Sequence, residues 1–317
     1  MTDRRSALAL LIGGAALAAA RRVSAPADAT LLFAYFSGVR GDPAGLRLAR
    51  STDGLRFDPV LGGRVLLSPT VGESRLLRDP FLTPGPRSGD PWHLLWTTGW
   101  TGVTLGHATS HDLIHWSPQR AIPVMATIPG TRNVWAPEMI WDARAGHFML
   151  FWSSTVTGRF PETAGTSEDA YNHRLWYATT RDFVTISPPE LLWDPGFSVI
   201  DATFTTDRAG GLHLIVKDET LTPERKHLRI ARAASPTGPF GALSPAFTPA
   251  WVEGPTAIRT GGWTYVYYDR YRDGGWGAAR SRDLVTWQDV SDRIVMPRSA
   301  RHGTVVHAPA GALADLR

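Results

Sequence analysis

The chain has 317 residues, no cysteine, 43% hydrophobic residues and a formal net charge of +4. That length suits one large domain, and the charge is too mild to argue for nucleic acid or a membrane surface as partner. Thirteen tryptophans are present; most are expected between packed strands, yet such a number also suits sugar binding, because an aromatic face lies well against the C–H face of a sugar ring.

In chain order, residues 1–29 read as an export signal. Arg4-Arg5 precede the apolar stretch Ala7–Ala20, which is too short to span a bilayer comfortably, and Ala27-Asp28-Ala29 fits the small-x-small cleavage rule. The arginine pair points to the twin-arginine route. Ser6-Ala7-Leu8 matches the continuation of that signal weakly, which leaves the Sec route open. Cleavage removes four arginines and two aspartates and leaves a net charge of +2. The expected product, residues 30–317, is a single exported domain in the periplasm or outside the cell. It is expected to be a monomer, free of the membrane and held without disulfides by its core.

From Leu31 onward the chain repeats one plan five times. Apolar runs at Leu31–Phe36, Trp92–Trp96, His147–Trp152, Leu212–Val216 and Trp263–Tyr268 each read as a buried strand. A turn precedes four of them, at Gly89-Asp90, Ala145-Gly146, Gly210-Gly211 and Gly261-Gly262, as a tight hairpin requires. Ala-x-Ser/Thr closes a later strand in each copy, as in Ala108-Thr109-Ser110 and Ala279-Arg280-Ser281. Asp112, Asp182 and Asp283 follow in turns and read as turn caps. Strand, hairpin, strand and strand with turn is the plan of a propeller blade, so the fold class is all-β, a five-bladed β-propeller. The first copy lacks an inner strand, and a spare strand, His302-Gly303-Thr304-Val305-Val306, follows the last. The C-terminal strand is therefore expected to complete the N-terminal blade and hide two sheet edges.

Each unit carries one ionisable residue at a strand beginning: Asp79, Glu138, Asp201, Glu253 and His302. In a closed ring the five converge on one mouth. Glycosidic hydrolysis needs a protonated carboxyl for the leaving oxygen and an ionised one to activate water or attack the sugar. A third carboxylate can raise the pKa of the acid by like-charge repulsion. Asp79, Asp201 and Glu253 sit among apolar or small neighbours, where a carboxylate is poorly solvated without a partner. An aspartate before proline, as at Asp79, is usually a turn residue; three in register carry more weight. Glu138 either lines the site or is a buried partner of an amide or cation. Trp100, Trp135 and Trp276 are candidate sugar platforms. Lys217 is expected as a counter-charge near the site, and Arg270 as a hydroxyl ligand or a solvent-facing loop residue.

The order Arg78-Asp79-Pro80, Trp135-Ala136-Pro137-Glu138, Ile200-Asp201-Ala202, Glu253-Gly254-Pro255 and His302-Gly303 resembles glycoside hydrolase family 43 across essentially the whole mature chain. The opening Leu32–Gly38 and the closing Arg301–Val305 resemble its arabinofuranosidase-like branch, near the anhydrogalactosidase relatives. The resemblance implies an inverting hydrolase with Asp79 as general base, Asp201 as modulator and Glu253 as general acid. The second motif ends in Glu138 where the wider family more often has aspartate, which leaves the sugar open. His302 matches the family's late histidine at the pocket floor, which implies a bond to the modulator or sugar, or a calcium ion on the axis. Calcium prefers oxygen ligands, so a lone histidine argues weakly for it, and no cofactor is required. The expected activity is exo-acting release of terminal α-L-arabinofuranosyl units from polysaccharide or oligosaccharide. A β-xylosidase, a β-galactofuranosidase or an anhydrogalactosidase is the enzymatic rival. A carbohydrate-binding propeller without catalysis, or more weakly a protein scaffold, is the rival of another class.

Overall fold

In the computed structural model, which describes residues 30–309, five antiparallel sheets form the five blades. The expected export signal at 1–29 lies outside the described residues. Blade II runs outward through strands Arg78–Pro84, Trp92–Thr97, Leu105–Ser110 and Arg120–Ile122. Blade III follows with Trp135–Asp142, His147–Ser154, Arg174–Thr180 and Glu190–Trp193. Blade IV has three strands, Val199–Thr206, Leu212–Asp218 and His227–Ala233. Blade V has four, Glu253–Thr260, Trp263–Arg270, Gly275–Ser281 and Trp287–Asp289.

Blade I is assembled from both ends of the chain. The strand Ala300–His307 is its innermost member and pairs with Leu31–Ser37, which is followed outward by Arg47–Ser51 and Asp58–Pro59. The seam runs from Leu31 opposite His307 to Ser37 opposite Ala300. This is the closure expected from the missing and spare strands.

Five apolar clusters hold the wheel together, one at each junction between neighbouring blades. Phe33, Phe57, Tyr267 and Trp276 pack blades V and I, while Trp152, Trp176, Met139 and Leu95 pack blades II and III. Burial of large side chains at about 1.5–3 kcal/mol each makes these seams the main source of stability.

The repeated turns behave as their composition dictates. Oδ1 of Asp112 accepts from the Ile114 and His115 amides, and Asp182 and Asp283 do the same in their own blades. An aspartate placed there satisfies donors that the tight turn leaves unpaired.

Candidate active site

Every inner strand begins with the same β-bulge. In blade II, Arg78 pairs with Thr97 and Phe81 with Leu95, so Asp79 and Pro80 together face Trp96 alone. The same slip leaves Ala136-Pro137, Asp201-Ala202, Gly254-Pro255 and His302-Gly303 unmatched in the other blades. The first bulge residue is left-handed in four blades, with φ of 50° at Asp79, 46° at Ala136, 53° at Asp201 and 57° at Gly254. For a residue with a Cβ this costs about 1 kcal/mol, and the bulge re-aims the side chain off the pleat. Proline follows in three blades, where its missing N–H costs no ladder bond. At position 254 glycine is required twice over: its φ is positive, and a Cβ would stand 2.4 Å from the His302 ring.

The bulges sort the site into levels. Asp79, Ala136, Asp201, Gly254 and His302 share one. The residue before each bulge, Arg78, Trp135, Ile200, Glu253 or Arg301, forms the level above. The first paired residue after each, Phe81, Glu138, Thr203, Thr256 or Thr304, forms the level below. The five ionisable groups therefore do not form one ring. Glu253 stands a level above Asp79, Asp201 and His302, and Glu138 a level below them.

The upper two levels open into a cavity of about 210 Å³ lined by Asp79, Asp201, Glu253 and His302 together. Lys217 and Glu219 enter from blade IV, and Trp100 and Trp135 form one wall. That wall continues into a blade III insertion carrying Glu168, Asp169 and Tyr171, whose ring centroid lies 4.7 Å from that of Trp135. That insertion is tied to blade IV by the Leu221 amide on the Thr166 carbonyl and by Ser167 Oγ on the Glu219 carbonyl. Arg132 donates to the Ala170 carbonyl and lies over the Tyr171 ring.

The charges are arranged in partnerships. Asp79 accepts from Thr97 Oγ1 at 2.8 Å and faces His302 Nδ1 at 3.3 Å. Burial alone would raise the Asp79 pKa, but the His302 charge, its hydrogen bond, Arg78 and Thr97 outweigh burial and hold it at about 2. Burial would likewise discharge His302, yet Asp79, Asp201 and Glu253 raise its pKa to about 9. Asp201 is pushed up to about 6, chiefly by burial and further by the Glu253 and Asp79 charges, against the opposing pull of His302 and Lys217. Its Oδ2 accepts the Gly254 amide at 2.9 Å, which ties it to the residue after Glu253. Glu253 lies between two cations, Lys217 at 3.4 Å and Arg301 at 3.6 Å.

Eight of the ten residues singled out from sequence come together at this axis, and two do not. Seven line the cavity; Glu138 lies beneath it, buried near Thr203, and burial raises its carboxyl well above the ordinary range. Trp276 is no sugar platform. It is 9% exposed, packs edge-on to Phe33 in the seam between blades V and I, and donates to the Ala300 carbonyl. Arg270 does not reach the cavity either, because it pairs with Asp273 on the surface. Strand alternation is the reason: its neighbour Asp269 turns inward, is 1% exposed and binds Arg301 Nε. Burial and the nearby Glu253 charge raise Asp269 to about 6. Asp269, Arg301, Glu219 and Lys226 were passed over in the sequence; the alternation of Tyr268-Asp269-Arg270 was the signal for the first.

Among the described residues no three histidine, cysteine, aspartate or glutamate side chains are arranged to hold a metal ion. His302 Nδ1 faces the Asp79 carboxylate at 3.3 Å, so this nitrogen is already paired, and calcium prefers oxygen ligands to imidazole.

The model of a family described as "Probable glycosyl hydrolase domain", related to glycoside hydrolase family 43, matches residues 28–310. An α-L-arabinofuranosidase of Bifidobacterium longum is 24% identical over 200 residues, 54% of this chain. The chain spans only about a fifth of that relative's length, 19%. Among solved structures, an α-L-arabinofuranosidase from Lactobacillus brevis superposes with a TM-score of 0.52 at 14% identity, covering 67% of this chain and 72% of that one. An endo-arabinase from Bacteroides thetaiotaomicron gives 0.53 at 18% identity, covering 71% and 84%. An exo-β-1,3-galactanase from Phanerochaete chrysosporium gives 0.53 at 12% identity, covering 73% and 51%. These likenesses establish the shared propeller.

Proposed function

The chain belongs to the glycoside hydrolase family 43-related glycosyl hydrolases, and from that premise we propose that it is an exported, exo-acting, inverting glycosidase releasing terminal α-L-arabinofuranosyl or related furanosyl units. The observation that carries this reading is the meeting of Asp79, Asp201 and Glu253 in one small walled cavity. Asp79, ionised at any pH above about 2, serves as the base that activates water. Glu253 serves as the acid, held in place by Lys217 and Arg301. Asp201 serves as the modulator, bonded to the backbone beside Glu253. The blade III insertion walls one side of the cavity, and a walled pocket favours removal of a terminal unit over cleavage within a chain. The likeness to an α-L-arabinofuranosidase favours a furanosyl substrate. Export rests on Arg4-Arg5 and the apolar stretch after them.

The deciding experiment is hydrolysis of a panel of aryl furanosides and pyranosides, with the anomer of the product followed by NMR. Inverted product from an arabinofuranoside is expected. Glu253→Gln should lose turnover on poor leaving groups and recover much of it on an activated nitrophenyl group, because a good leaving group needs no acid. Asp79→Asn should recover nothing. No turnover by the wild type on any member would leave a carbohydrate-binding propeller as the correct reading, and a retained anomer would remove the inverting assignment.

A further inference from the structure

We propose that the rim of this cavity recognises a negatively charged group on the substrate, a sugar carboxylate or sulfate ester, and that Arg78 is its receptor. The inference deepens the carbohydrate reading above and rests on it for the identity of the ligand as a sugar. Arg78 occupies the same register position as Glu253, directly before the bulge of its inner strand, and lines the cavity. Its guanidinium carbon lies 4.3 Å from the Trp100 ring centroid and 4.6 Å from that of Phe36. Two rings hold the group at the rim and take up apolar contact, but neither accepts its N–H donors.

Every other buried or half-buried charge of the cavity has a partner. Asp79 has His302 and Thr97. Glu253 has Lys217 and Arg301, and Glu219 has Lys217 and Lys226. Glu168 has Lys226. Arg301, at the same level on the neighbouring inner strand, is committed to Asp269 and Glu253. Among the described residues Arg78 alone of the cavity's cations makes no ion pair and no side-chain hydrogen bond. Asp169 on the blade III insertion also lacks a side-chain partner, but it is exposed and solvated. A half-buried guanidinium with its donors unspent is an unfinished interaction, and its planar fork fits two oxygens of one oxyanion. A neutral sugar stacked on Trp100 would offer that fork only single hydroxyl oxygens, without the charge and the paired oxygens that match it best.

The test compares ligands that differ only at C6. Binding to the wild-type chain is measured by calorimetry for D-glucuronate against D-glucose, D-galacturonate against D-galactose, and galactose 6-sulfate against galactose. At least one anionic member should bind about tenfold more tightly than its neutral twin, as one charge-assisted pair predicts. The preference should shrink as salt is raised. A preference for uronates alone identifies a carboxylate, and for the sulfate alone a sulfate ester; both support the site. Arg78→Gln should abolish the preference, Arg78→Lys should keep part of it, and Arg270→Gln, on the outer surface, should leave it whole. A thermal melt shows whether each variant folds, and Arg78→Lys carries the comparison if Arg78→Gln does not. Equal binding of charged and neutral twins, or a preference that survives at Arg78→Gln, overturns the proposal. The two readings fail separately. A protein that cleaves neutral furanosides without charge preference loses only the anion site. One that binds uronates and hydrolyses nothing loses only the catalytic reading.

Discussion

The ammonium of Lys217 stands 3.4 Å from Glu253 and 2.7 Å from Glu219, with 2% of the residue exposed. The other oxygen of Glu219 binds Lys226, which solvent does not reach, and Lys226 in turn binds Glu168 in the blade III wall at 2.9 Å. A line of alternating charges thus runs from the proposed acid to the wall of the pocket. Glu219 is the shared anion for two buried ammonium groups and acts as a positioning residue. Glu219→Gln should lower stability by about 3 kcal/mol, since each lysine keeps only a weaker partner. It should also lower kcat more than it raises KM and displace the pH–rate profile. A variant with an unchanged urea midpoint and an unchanged profile would show that the line does no positioning.

The Asp79–His302 pair sets a pH dependence of stability. His302 holds its proton more tightly in the fold, at about 9 against an ordinary 6.5. Its contribution is therefore complete below about pH 6.5 and is lost as pH rises through about 9, a change on the order of 3 kcal/mol. Asp79, lowered to about 2, loses its contribution only as pH falls through that value. Asp201 and Asp269, both near 6, run the other way, and stability grows as pH falls toward and through 6. The urea midpoint of the wild type should fall steadily between about pH 6.5 and 9, and the slope should flatten in His302→Asn. Equal slopes in the two proteins would show that His302 is neutral in the fold.

Two tryptophans that look alike in the sequence should behave oppositely. Trp276→Ala opens a hole in the seam between blades V and I and should cost about 3–5 kcal/mol. Trp100 is 55% exposed at the rim, beside Trp135 and Arg78. Trp100→Ala should leave the melt within about 0.5 kcal/mol of wild type and raise KM. Thermal melts and initial-rate kinetics on both variants decide the assignment; a large stability loss at position 100 would move that ring into the core.

The wheel was legible because its signals repeat. Apolar runs, hairpin turns and capped Ser-x-Asp turns each recur with the blade, and the missing and spare strands at the two ends match. What the repeat could not show is the bulge. With Pro80, Pro137 and Pro255 aligned, Ala136 and Gly254 fall level with Asp79, so Glu253 stands before that level and Glu138 after it; being the ionisable residue of its unit does not put a side chain in the same ring. Arg270 was misplaced because neighbours in a strand point to opposite faces and an alternating run does not announce which face is which; Trp276 shares the face of Asp269, its cross-strand partner, but sits one strand farther from the axis. The wall at Glu168–Tyr171 belongs to one blade alone, and an unrepeated insertion leaves no periodic trace.

Closure by the last strand predicts all-or-none dependence on it. A chain ending at residue 298 should show no cooperative melt, because the inner edge of Leu31–Ser37 would face solvent. Gly303→Ala should weaken the seam in the full chain, since a Cβ there would meet the Ala34 carbonyl oxygen at 2.0 Å. A truncated protein unfolding near the full-length temperature would show that blade I closes without its C-terminal member.

The same two-against-one pairing, made five times around the axis, also separates chemistry from architecture. That pairing persists whether it carries an acid, an alanine, a glycine or an imidazole, although the His302 ring leaves room for nothing larger than glycine at position 254. A change of one codon at Ala136 or Arg78 can therefore rewrite what the mouth recognises while every ladder of the wheel stays in place, which leaves this scaffold open to new substrates in small steps.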